Sequence, residues 1–187
     1  FLTMIKEKNK IALCIDLDNT LILTDSLIES FLLSIKKNPV VLILFPFWLL
    51  KGKENFKEKI SERVTLPVIN LPFNKKIIKN IQNAKDENRI VVLATASTKK
   101  IADQIANHLQ IFDIVESSRK DFNLKGKNKR DKLVGMFGEK GFDYAGDSYA
   151  DIPIWQAANG AILVNPSKHL IKKVEKVTKI KEIIYTK

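Results

Sequence analysis

Ile11-Ala12-Leu13-Cys14-Ile15-Asp16-Leu17-Asp18-Asn19-Thr20 decides the reading of this chain. Five apolar residues in a row read as a short strand buried on both faces. The strand ends in two carboxylates at alternate positions. Like charges held that close are costly unless a cation lies between them. A second acidic pair follows another apolar segment, in Gly146-Asp147-Ser148-Tyr149-Ala150-Asp151. Two strand ends that both present carboxylates point to one shared, hard, oxygen-ligated metal such as Mg²⁺, and so to phosphoryl chemistry.

Working outward, further buried strands are predicted at Ile90–Ala94, Phe112–Val115, Phe142–Ala145 and Ala161–Val164. Helical patterns separate them. Lys99–Leu109 carries Ile101, Ile105 and Leu109 at helical spacing, with Ser97 or Thr98 as N-cap. Asn128–Phe137 and Ile152–Ala158 are read as helices, with Trp155 as a core residue. Strands alternating with helices imply a mostly parallel α/β sheet covered on both faces.

Residues 25–85 break this rhythm. Leu27, Ile28, Phe31, Leu32 and Ile35 form one face of an amphipathic helix. The run Val40–Leu50 is apolar throughout, with a kink expected at Pro46. A polar helix follows over Glu54–Val64, and another over Asn74–Glu87. The interval is too long for a simple crossover. It is read as a helical cap (25–85) inserted after the first strand of a core formed by 1–24 and 86–187.

Composition sets bounds. The 187 residues are 45% hydrophobic and 28% charged, which suits one soluble domain with a small insertion. The single Cys14 falls in a buried strand and reads as a small hydrophobe. The formal net charge of +11 suits an acidic partner: a phosphorylated substrate or an anionic membrane surface. Arg119–Lys132 and Lys168–Lys187 are the densest basic segments. No aromatic residues interleave with them as a base-stacking platform would require, which argues against nucleic acid. Phe1–Met4 is too short for a hydrophobic signal region. Val40–Leu50 is about half the length that spans a bilayer. The expected location is the cytoplasm, with attachment to a membrane surface as the alternative.

Ligands of an open parallel sheet bind beyond the carboxyl ends of its strands. Asp16 and Asp18, Thr95, Asp147 and Asp151 fall there, with Lys125 in the loop before the fourth strand. They supply a nucleophile, an acid/base, a phosphate-oxygen donor, a cation and metal ligands. Lys127, Lys129 and Arg119 are rivals of Lys125. Asp151 and Thr95 have plainer readings as helix or strand-end caps, and Ser148 as a loop residue. His108 and His169 match no motif.

In this order the set resembles the haloacid dehalogenase-like (HAD) phosphatases: Asp16-x-Asp18-x-Thr20, then Val91-Val92-Leu93-Ala94-Thr95, then an isolated Lys125, then Gly146-Asp147 and Asp151. More narrowly, Leu-Ala-Thr-Ala-Ser, Asn-Leu-Lys-Gly and Val-Asn-Pro-Ser resemble the HAD domain found ahead of bacterial UbiA-type prenyltransferase membrane proteins. The resemblance implies a Rossmannoid parallel sheet of strand order 5-4-1-2-3. It implies a Mg²⁺-dependent phosphatase in which Asp16 takes up the phosphoryl group and Asp18 serves as acid and then base. Asp16, Asp147 and the backbone carbonyl of Asp18 would hold the metal. Thr95, Ala96, Ser97 and Lys125 would hold the phosphate, with Thr20, Gly146, Ser148 and Asp151 in support. The expected substrate is an aryl phosphate or a phosphotyrosine protein. A small phosphometabolite phosphatase and a membrane-docking or regulatory module are the alternatives. Phe45, Phe47 and Trp48 are read either as packing the cap or as an exposed apolar surface flanked by Lys51 and Lys53.

Overall fold

The computed structural model describes residues 10–186. The readings at Phe1–Met4 and Lys187, and the side chains of Lys53 and Glu54, lie outside the described residues. Among the described residues, six strands form one parallel sheet: β1 (Ala12–Ile15), β2 (Val91–Thr98), β3 (Ile114–Ser118), β4 (Phe142–Gly146), β5 (Gly160–Val164) and β6 (Lys179–Ile184). Their order is β3-β2-β1-β4-β5-β6. The expected five-strand order is present, and β6 extends it beyond β5. The sequence Lys-Ile-Lys-Glu-Ile-Ile lies in a segment that composition marks only as basic. As an edge strand it carries charge on its solvent side, which blunts further pairing.

Successive side chains of β1 point to opposite faces, and both faces are buried. Leu13 and Ile15 join Leu93 and Val91 in one apolar cluster, closed by Ile77, Ile81, Ile101 and Ile105. These come from α4 (Lys75–Asp86) and α5 (Lys99–Leu109). Ala12 and Cys14 join Phe142, Tyr144 and Trp155 on the other face. There α6 (Lys127–Phe137), α7 (Ile152–Ala157) and α8 (Lys168–Val174) cover the sheet. Trp155 is fully buried and donates its indole N–H to the Tyr144 carbonyl at 3.0 Å.

The bounds of β2 and β3 differ most from expectation. β3 starts at Ile114 rather than Phe112, because Asp113 caps the edge of β2: its carboxylate accepts the Val91 N–H at 2.8 Å. β2 runs on to Thr98, past a register irregularity between Thr95 and Thr98. Thr98 sits at the N-cap of α5, but its hydroxyl makes no capping bond.

Between β1 and α4 the chain forms α1 (Ser26–Lys37), α2 (Val41–Leu50) and α3 (Lys53–Arg63). Asp25 caps α1, accepting the Leu27 and Ile28 N–H groups. Chain exit and return are clasped together. Ile22 and Phe73 pair as an antiparallel bridge, and the Asn74 N–H donates to the Leu21 carbonyl at 2.9 Å. The three helices share their own small cluster of Val41, Phe56 and Ile60, with Phe31, Phe45 and Trp48 against it. The rings of Phe31, Phe45 and Phe56 meet at 5.2–5.7 Å in tilted and edge-on arrangements, the geometries aromatic pairs favour.

Candidate active site

The site begins where β1 ends. The Asp16 N–H is still held by the Ala145 carbonyl of β4 at 3.0 Å, so the first carboxylate leaves from a paired backbone. The chain then turns tightly: Asn19 adopts a left-handed conformation (φ 55°), and the Ile22 N–H closes on the Leu17 carbonyl. Asn tolerates this region better than most residues. The turn points Asp16 and Asp18 into a cavity of about 370 Å³ at the carboxyl edge of the sheet.

Opposite stands β4 and the loop after it. Carboxylate oxygens of Asp16, Asp147 and Asp151 lie within 4.8 Å of one another. Gly146 makes this approach feasible, since a Cβ there would meet Asp151 Oδ2 at 2.7 Å and the Tyr144 ring at 2.8 Å. Burial, and then the charges of Asp16 and Asp151, pushes Asp147 up to about 7. Burial pushes Asp16 up to about 6 against the pull of the Lys129 ammonium. Three crowded, partly desolvated carboxylates with oxygen donors only are a set that could hold a hard divalent cation.

The lysine that reaches Asp16 is Lys129, on the first turn of α6. Its ammonium donates to Asp16 Oδ1 at 2.7 Å and to the Tyr144 hydroxyl at 2.8 Å. The Tyr144 hydroxyl in turn donates to Asp151 Oδ1 at 3.1 Å. Lys129 is almost wholly buried (3% exposed). Burial alone would lower its pKa, but the Asp16 and Asp151 charges hold it above the ordinary lysine value. Lys125, the lysine favoured from sequence, lines the cavity but is exposed. The choice between them turns on where α6 starts. The left-handed Gly126 (φ 55°) redirects the chain, and Lys129 is then carried inward on the helix. Tyr144 escaped the sequence reading altogether. Its one signal is a hydroxyl-bearing ring in a wholly buried strand, a place where such a group needs a partner.

Asp18 is held apart from the cluster. Its Oδ1 accepts the Ser26 N–H at 2.7 Å and its Oδ2 accepts the Ser97 hydroxyl at 2.7 Å. Burial raises its pKa despite these bonds. Ser26 and Ser97 also bond each other at 2.8 Å. Thr95 is fully buried, and its Oγ1 accepts the Ser97 N–H. At this strand end Thr95 thus steadies the Ser97 backbone while the Ser97 hydroxyl meets Asp18. Ala96 and Ser97 line the cavity, as does Lys57 of α3, which donates to the Ala96 carbonyl at 3.1 Å. Thr20 is buried in the turn. Ser148 and Asp151 form a reciprocal cap: the Ser148 N–H and hydroxyl both donate to Asp151 Oδ2. Asp151 thus serves as a cap and also stands in the acidic cluster.

No family model matches the chain. It is 40% identical over 156 residues to the uncharacterized protein y4nM of Sinorhizobium fredii, a match covering 83% of this chain and 30% of that protein. The chain thus spans less than a third of the length of this curated relative. Among solved structures it resembles a HAD family hydrolase of Salmonella enterica, with a TM-score of 0.65 and 14% identity over 92% of this chain and 66% of that one. It also resembles a phospho-aspartyl intermediate analogue of phosphoserine phosphatase, with a TM-score of 0.60 and 16% identity over 95% and 94% of the two chains. Over nearly the whole of this chain these likenesses agree on one architecture: the chain has the haloacid dehalogenase-like fold.

Proposed function

We propose that the chain is a phosphatase that hydrolyses phosphomonoesters through an aspartyl-phosphate on Asp16, with Mg²⁺ as its cofactor. One observation carries this reading: a half-buried Asp16, bonded to a buried lysine, lies within 4.8 Å of Asp147 and Asp151, with a second acid two residues on.

A carboxylate oxygen of Asp16 attacks phosphorus, and the bond to the leaving oxygen breaks. Asp18 gives its proton to that oxygen; its raised pKa favours the protonated form this needs. The Ser97 hydroxyl and Ser26 N–H hold the carboxyl in place. In the second step Asp18 takes a proton from water, which attacks the phosphorus and frees Asp16. Lys129 offsets the charge of Asp16 and of the phosphoryl oxygens near it. Asp16 and Asp147, with the Asp18 carbonyl and Asp151 nearby, would hold Mg²⁺, which when bound offsets the repulsion between carboxylates and phosphate. Ala96 and Ser97, at the end of β2 just before α5, line the cavity where phosphate oxygens would bind. Helices α1 to α3 act as a cap over the site, contributing Ser26 and Lys57. A cavity of about 370 Å³ favours a small or aryl phosphomonoester over a larger substrate.

The test uses p-nitrophenyl phosphate with Mg²⁺. Asp16→Asn is expected to abolish turnover, at least ~10³-fold. Asp18→Asn is expected to release one burst of nitrophenolate, since that leaving group needs little acid, and to retain phosphoryl on the protein. Turnover surviving in Asp16→Asn would reject the mechanism.

A further inference from the structure

Helix α2, Val-Leu-Ile-Leu-Phe-Pro-Phe-Trp-Leu-Leu, has no polar residue, yet within it only Val41 is fully buried. Phe45 and Trp48 turn inward onto the small cluster with Phe56. The rest face out: Leu42 is 53% exposed, Ile43 68%, Phe47 61% and Leu50 84%. Solitary exposed apolar residues are ordinary, but this many on one ten-residue helix are not.

The charges around the helix are one-sided. From Ser30 to Lys53 there is no acidic residue, and the stretch carries Lys36, Lys37, Lys51 and Lys53. The two ends of α2 are thus flanked by lysines, and the whole chain carries +11. On the neighbouring helix α1, Ile28 and Leu32 are also each 56% exposed. At about 15 Å, α2 is too short to cross a bilayer, and no helix among the described residues is long and apolar enough to do so. Its length suits lying in the headgroup region with its outer face among the acyl chains.

We propose that α2 is a docking surface for an anionic lipid bilayer. Its exposed apolar side chains enter the interface while Lys36, Lys37 and Lys51 meet the lipid phosphates. Charge decides among occupants. A second copy would bring its own lysines and its own +11 against this face, whereas an anionic membrane is attracted to both features. The inference stands apart from the phosphatase reading, because docking needs none of the site residues.

The experiment is vesicle flotation with the whole chain, on phosphatidylcholine alone and with about 30% phosphatidylglycerol. The native chain is expected to partition onto anionic vesicles roughly tenfold better than onto neutral ones, and less well as salt rises. Ile43→Ser/Phe47→Ser/Leu50→Ser is expected to lower binding about tenfold or more. Lys36→Gln/Lys37→Gln/Lys51→Gln is expected to erase the preference for anionic lipid. Both variants alter exposed positions, and unchanged thermal melts verify their folding. Equal binding to both vesicle types, or full binding by the triple-Ser variant, would overturn the proposal. So would self-association of the native chain that the triple-Ser variant abolishes while vesicles capture neither.

Discussion

β1 and α2 are both runs of apolar residues, and the protein uses them in opposite ways. In β1 every side chain is buried, because a strand inside a parallel sheet is covered on both faces. In α2 one stripe packs on α1 and α3 and the rest meets solvent. Around β1 the core is apolar and continuous through two clusters. Where the inserted helices meet that core, several of the contacts are polar: Ser26 with Ser97, Lys57 with the Ala96 carbonyl, and Lys100 with the Ser61 carbonyl at 2.7 Å. Hydrophobicity therefore reports burial in the sheet, and in the insertion it reports a surface. The groups proposed for catalysis sit at the seam, Asp16 and Asp147 at the strand ends and Asp18 touched by Ser26 of the insertion.

The sharpest way to break this picture is to strip the sheet-borne site of its cation. Lys129→Met is expected to lower phosphate hydrolysis about 10²–10³-fold, while Lys125→Met stays within about threefold. Equal losses would mean that the lysine facing Asp16 does not hold the working charge.

The contrast in packing is tested next. Trp155→Ala removes a fully buried side chain from the core and is expected to cost about 3–5 kcal/mol in global unfolding by denaturant. Phe56→Ala strips the small cluster of the insertion. It is expected to cost less than Trp155→Ala and to show chiefly as faster amide exchange over 26–63, with β1, β2 and β4 still protected. Loss of protection throughout would show that insertion and core unfold as one.

Smaller still is the effect of easing the crowded carboxylates. Asp147 at about 7 and Asp16 at about 6 in the folded chain lie above the ordinary 3.8. Between those values the folded state binds more protons than the unfolded one. Their contribution is fully present below about 3.8 and is lost as pH rises through about 6 and 7 in metal-free protein. Asp147→Asn is expected to flatten that fall and to raise the metal-free Tm at pH 7.5 by about 2–4 °C. It is also expected to remove the stabilisation that added Mg²⁺ gives the native chain. Calorimetry across pH with and without Mg²⁺ checks both signs. Least of all, Ile43→Ser on the exposed face of α2 is expected to change unfolding by less than about 0.5 kcal/mol, read from the same denaturant curves.

What sequence alone determined were the elements whose signals are local. Unbroken apolar runs marked β1, the first part of β2 and β5, and an apolar segment interrupted at Asp143 marked β4, because a doubly covered strand needs no alternation. Acids placed just beyond β1 and β4 marked the edge where Asp16 and Asp147 meet, because parallel strands end on the same side. Tertiary structure decided the rest. Lys129 rather than Lys125 reaches Asp16, because a left-handed Gly126 and the first turn of α6 set which lysine turns inward. Ser97, read from sequence only as a phosphate-holding or N-cap residue, donates its hydroxyl to Asp18, because β2 continues past an irregularity in its pairing. Tyr144 became a link between Lys129 and Asp151 only once α6 packed on β4. Phe45 went inward and Phe47 outward, although they sit two residues apart in an apolar run. Composition cannot separate such neighbours, since a helix apolar on every side has its buried face chosen by whatever packs against it.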